Sequence, residues 1–132
     1  LQRFEYGIFT CDGEAEKGGV QKEAAMFNIR PVAIPESFHK GTLPQRQGFF
    51  TTDTDDILLS AYKFCEDGSG DLIIRLTETR GEAVHAEISC KLFHANFKTR
   101  FGANEIKTFR IAKDGSVRET DFLEGIVKDV AE

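Results

Sequence analysis

The sequence predicts an all-β protein, an antiparallel β-sandwich of about seven strands behind a short N-terminal tail, and three observations carry that expectation. Twelve Phe stand against one Met and no Trp in 132 residues, a balance that suits pleated, half-buried strand surfaces, where aromatic and β-branched side chains pack well. From residue 48 onward, short apolar runs recur at roughly 8 to 12 residue spacing, the rhythm of sandwich strands. Several of the gaps between them contain Asp-Gly or a second Gly, which supply the positive φ of tight turns.

In chain order, "RFEYGIFTC" puts Phe4, Tyr6 and Ile8 on one side, the period-2 signature of a strand, and breaks at "DGEAEKGG". "VQKEAAMFNI" places Val20, Ala24 and Phe27 at helical spacing, so a short helix is expected. "RPVAIPESFHKGTLPQRQG" holds Pro31, Pro35 and Pro44 with Gly41 and Gly48, and reads as extended connecting chain. It divides the sequence into a leading segment, 1–47, and a sandwich domain, 48–132. In the second part "FFTT", "DILLSAYKFC", "DLIIRLTE", "AVHAEISCKLF", "ANFKTRF", "NEIKTFRIA" and "SVRETDFLE" are the seven candidate strands. "EDGSGD" (66–71) and "KDGS" (113–116) are turns, and the closing "GIVKDVAE" is expected to fray.

Charge and cysteine content exclude several function classes. A net charge of -5 offers no positive field for nucleic acid or an anionic membrane surface, so neither is expected as a partner. Cys11, Cys65 and Cys90 are an odd count without C-x-x-C spacing. They suggest neither a disulfide framework nor a zinc knuckle, and a reducing, cytoplasmic location follows as the expectation. No run approaches the roughly 20 apolar residues of a membrane helix, and no signal-like opening is seen. With Leu1 first and Met26 the one methionine, the chain reads as a piece of something longer.

The search for chemistry finds no constellation. His39, His85 and His94 lack metal-ligand spacing, there is no G-x-S-x-G elbow or Walker loop, and "DGSGD" lacks the helix that phosphate cradling requires. Cys65 and Cys90 fall inside strand patterns, where an inert buried thiol is the default. Asp53, Asp55 and Asp56 before the long strand, and Glu66 with Asp67 at its end, are the carboxylates from which a glycosidase-like pair could be drawn. Asx turns at solvated strand ends account for each of them without a ligand.

Four stretches then carry a resemblance. "LSAYKFCEDGSGDLIIRLTETRGE" (59–82), "NEIKTFRI" (104–111), "RFEYGIFTCDG" and "AAMFN" occur in the order and spacing of the C-terminal part of glycoside hydrolase family 38 α-mannosidases. The chain departs from the family pattern at Thr77, often Tyr, at Cys65, often Ala, and at Ala103-Asn104, often Pro-Phe. The resemblance implies a noncatalytic C-terminal β-sandwich, its leading segment being the end of a preceding middle β-domain. It implies that the full-length enzyme hydrolyses α-mannosides with retention, through an Asp nucleophile, a carboxylate acid/base and a zinc ion. Those groups belong to a catalytic domain that no position here matches, so this chain would be inactive alone and hold no cofactor. Its partners would be the catalytic and middle β-domains of the same polypeptide. A free-standing carbohydrate-binding sandwich is the alternative, although the chain offers only Tyr6, Tyr62 and Phe for stacking.

The charged tip "ETRG" after the third strand gives the substrate-cleft candidates Glu78, Arg80 and Gly81. Leu72, Ile74 and Leu76 should face the core, with Ile73, Arg75 and Thr77 opposite, so the tip projects at one end of the sandwich. Two readings stand: an exposed Glu78–Arg80 pair of little energetic consequence, or a tip that packs on the catalytic domain with Glu78 accepting from a sugar hydroxyl or an Arg. Ile106 and Phe109 cannot share a face of a regular strand, so one is expected to pack against a neighbouring domain or a bulge to intervene. Lys107 and Arg110 are expected to be solvated.

Overall fold

The computed structural model describes residues 2–15, 17–42 and 44–129. The chain divides into two units, Leu1–Gln47 and Gly48–Glu132.

In the leading unit the helix forms as expected, α1 Val20–Asn28, but the strand does not. Residues 2–11 carry no ladder. Alternating side chains specify which face of a strand is apolar, whereas a strand also needs a neighbour for its backbone N–H and C=O groups. The extended segment lies beside the helix instead. Gly7 sits where a Cβ would be 3.4 Å from the Phe27 ring, and Glu5 pairs with both Arg3 (3.0 Å) and Arg30.

The second unit is an all-β sandwich of two antiparallel sheets. Its strands are β1 Phe50–Thr52, β2 Ile57–Phe64, β3 Leu72–Glu78, β4 Val84–Cys90, β5 Ala95–Phe101, β6 Ile106–Ile111, β7 Val117–Thr120 and β8 Ile126–Asp129. One sheet has the order β1-β4-β5 and the other β2-β3-β6-β7-β8. The strand expected from 83 to 93 stops at Cys90, where a 3₁₀ turn, Lys91–Phe93, ends on His94 in the left-handed region (φ 56°). The segment expected to fray instead gives β8, paired with β7, and residues 130–132 lie outside the described residues.

The core lies between the sheets. Leu72, Ile74 and Leu76 of β3 and Phe109 and Ile111 of β6 face Ala86, Ile88 and Cys90 of β4 and Ala95, Phe97 and Phe101 of β5. Phe97 and Phe109 bridge the layers with ring centroids 4.9 Å apart, a tilted pairing worth about 0.5–1.5 kcal/mol beyond area burial. β6 needs no bulge. Phe109 points inward and Ile106 is left exposed on the outer face.

The outer face of the five-stranded sheet is not an ordinary solvated face. Ile73 points outward with Arg75 and Thr77, as expected, yet it is fully buried. The β7–β8 turn is drawn towards this face. Arg75 donates to the Phe122 carbonyl (3.3 Å) and lies over the Phe122 ring. Glu124 accepts from Lys63 Nζ (2.7 Å), Cys65 Sγ (3.1 Å) and the Glu66 N–H (3.0 Å). These bonds hold Glu124, itself at φ 68°, well below the ordinary carboxylate range, at a pKa of about 2, with the Lys63 contact as the chief cause.

Lys107 and Arg110 are not solvated either, which corrects the reading from sequence. Lys107 is in register with Leu76 and so faces the inner layer, where it lies over the Phe101 ring and pairs with Glu119 (3.5 Å). Arg110, in register with Ile73, binds Asp71 (2.6 Å) and Asp67 (2.8 Å). Long stems can cover apolar surface while the charged heads find carboxylates.

Candidate functional site

Three loops meet where β3 ends: β1–β2 (53–56), β3–β4 (79–83) and β5–β6 (102–105). Glu78 is the last residue of β3 and its carboxylate is buried beneath them. The Arg80 N–H donates to Glu78 Oε1 (2.6 Å), and the N–H groups of Gly81 (3.0 Å) and Asn104 (2.7 Å) donate to Oε2. Burial pushes the Glu78 carboxyl up, but hydrogen bonds from the backbone of Asn104, Arg80, Gly81 and Glu82 outweigh it and hold the pKa below its ordinary value. Gly81 takes φ 78°, which brings its N–H to that carboxylate at no steric cost. Asn104 does the same from the facing loop at φ 56°, a conformation Asn tolerates better than most residues.

The exposed Glu78–Arg80 pair therefore does not form. Arg80 pairs with Asp56 (3.5 Å) instead, with 44% of its side chain still open to solvent. Asp56 is tied in from the other side by Thr79, whose N–H and hydroxyl both donate to the Asp56 carbonyl (2.9 and 3.1 Å). The sequence candidates thus separate by role. Glu78 and Gly81 organise the tip, and Arg80 is the charge it presents. Asp56 and Asn104 complete the arrangement, and the sequence does not mark either as a partner of the tip. The αL preference of Asn in "GANE" was the one signal pointing to Asn104.

Several other candidate groups have structural partners. Asp53 Oδ1 accepts the Glu87 N–H (2.8 Å), and Asp67 Oδ1 accepts that of Ser69 (2.9 Å). Glu66 binds Lys63 (2.5 Å). Burial, with help from Glu124, raises the Cys65 thiol pKa and keeps it protonated. Burial and the contact with Cys90 Sγ (3.8 Å) push the Tyr62 hydroxyl to about 12. Among the described residues no three of His, Cys, Asp and Glu converge to hold a metal ion. No described helix is long and apolar enough to cross a membrane. Comparison with protein-family models, curated proteins and solved structures finds no match to this chain.

Proposed function

We propose that this chain is a noncatalytic C-terminal β-sandwich of a glycoside hydrolase family 38 α-mannosidase, acting in the cytoplasm as one module of a polypeptide that hydrolyses α-mannosides. One observation carries the reading. The two stretches that most resemble the family, 59–82 and 104–111, are separated in sequence but form three neighbouring strands, β2-β3-β6. They meet again at the tip, where the Asn104 N–H binds Glu78. A resemblance made of unrelated short matches would have no reason to assemble into one contiguous element.

The leading unit supports the same reading. Phe4, Tyr6 and Ile8 are all at least 80% exposed, and the segment that bears them has strand alternation without a ladder. Such a segment suits the middle β-domain of a larger polypeptide, whose sheet would supply the missing neighbour. At the other end of the chain's role, Arg80 reaches the rim of the sugar cleft, with Glu78 and Gly81 fixing the loop beneath it.

An antibody raised against residues 48–132 tests this on source cells lysed directly into denaturant with protease inhibitors. The expected band is several-fold longer than 132 residues, and native immunoprecipitates should release the chromophore from a nitrophenyl α-mannoside. A sole band at the length of this chain, together with saturable mannoside binding, would overturn the reading in favour of a free-standing carbohydrate-binding module.

A further inference from the structure

Residues 31–42 carry no helix or strand and every one of them is exposed. Outside the regular elements, the backbone–backbone hydrogen bonds of the described residues pass over this stretch entirely. Its contacts are local, such as the Ser37 N–H on Glu36 Oε1 (2.8 Å) and His39 Nδ1 with the Lys40 carbonyl (3.1 Å). Val32, Ile34 and Phe38 stand open to solvent, so no packing holds the backbone down. A protease binds its substrate as an extended strand, and a folded segment must open before it can offer one. This stretch is extended already.

Lys40 falls within it, and Arg30 and Arg46 flank it. Lys40 precedes Gly41 and Arg46 precedes Gln47, whereas Arg30 precedes Pro31. Proline removes the N–H after the scissile carbonyl and puts a ring in its place, so the bond after Arg30 is a poor substrate. Many of the other basic side chains have different surroundings, although Arg3, in the ladderless 2–11 segment, and Arg80, in the β3–β4 loop, are also exposed. Lys22 is in α1, and Lys63, Arg75, Lys98, Arg100, Lys107 and Arg110 are in ladder-paired strands.

We propose that the connector is a processing site for a protease of trypsin-like specificity, with Lys40–Gly41 and Arg46–Gln47 as the scissile bonds. At each bond water adds across the amide. The carbonyl carbon of the basic residue gains the water oxygen and leaves as a carboxylate, and the following nitrogen takes both water protons and leaves as an ammonium. Either cut leaves residues 48–132, with the whole sandwich core, on the C-terminal product. The proposal does not depend on the mannosidase reading; in source cells, processing would add a band shorter than this chain beside the long one.

The test is a time course of sparing trypsin on the native 132-residue chain, read by intact mass. The earliest cuts should follow Lys40 and Arg46, with none after Arg30, and products beginning at Gly41 or Gln47 should outlast the starting chain. In the double variant Lys40→Gln, Arg46→Gln, loss of intact chain should slow by at least about tenfold, because the remaining sites wait on local or global opening. A first cut within residues 48–132, or a double variant digested at the original rate, would overturn the proposal.

Discussion

Glu78 shows how little of a residue's role its charge alone specifies. An exposed carboxylate at a strand end is nearly free of energetic consequence, whereas this one is buried and satisfies amides from two loops. In Glu78→Gln, one acceptor oxygen becomes an NH₂ group that faces N–H donors, so at least one buried amide loses its partner. Hydrogen bonds to charged groups are worth about 1.5–3 kcal/mol, so urea unfolding should show a loss of about 2–4 kcal/mol. A variant as stable as the parent would mean that the carboxylate does not hold the tip. Glu124 adds a pH dependence. Its folded pKa of about 2 lies below the ordinary 4.5, so its contribution is complete above the unfolded value and is lost as the pH falls through the folded one. The stability gap between the parent and Glu124→Gln should be widest near neutral pH and close between about pH 4.5 and 2. A gap that stays constant with acidification would refute the clasp on Lys63.

At the scale of elements, the turns were the most legible part of the sequence, because a glycine that must take positive φ leaves a compositional mark. Gly68, Gly70 and Gly115, anticipated from "EDGSGD" and "KDGS", all do so. Two of the glycines can be ranked. A Cβ at Gly81 would come no closer than 3.7 Å to Asn104, so Gly81→Ala meets only the cost of its φ, about 1 kcal/mol. At Gly115, φ is 88° and a Cβ would lie 3.1 Å from the Phe93 carbonyl oxygen, so crowding adds to strain. Gly115→Ala should therefore lower the denaturation midpoint more than Gly81→Ala, and the reverse order would show that the β6–β7 turn yields more easily than its packing implies. What the sequence hid were relations between elements. Lys107 and Arg110 read as solvated because nothing local says that one faces Phe101 and the other sits beside Ile73. Ile73 read as outward without any sign that the β7–β8 turn would be drawn over it. "RFEYGIF" has the alternation of a strand, but a ladder depends on a partner that alternation cannot supply. The candidate site was half legible for the same reason. Its tip was visible in "ETRG", while Asn104 and Asp56 reach it through folding.

For the whole molecule, the question is which residues the sandwich needs in order to fold. Among the described residues, every member of the buried core cluster falls from Ile57 to Val117, and the partly buried residues packed on it begin at Phe50. Both sheets are likewise built from strands that start at Phe50 or later. Residues 48–132 should therefore unfold cooperatively on their own, with a urea midpoint close to that of the same transition in the full chain, since stability follows the apolar area and ladder bonds that the fragment retains. The leading unit, by contrast, exposes Phe4, Tyr6, Ile8, Val32, Ile34 and Phe38, more apolar surface than a free segment usually offers to water. Removing it should reduce self-association as concentration rises, read by sedimentation velocity on the full chain and the fragment side by side. If the fragment instead lost its cooperative transition while the full chain kept it, the leading unit would have to be counted as part of the sandwich's folding unit rather than as a segment awaiting another β-domain.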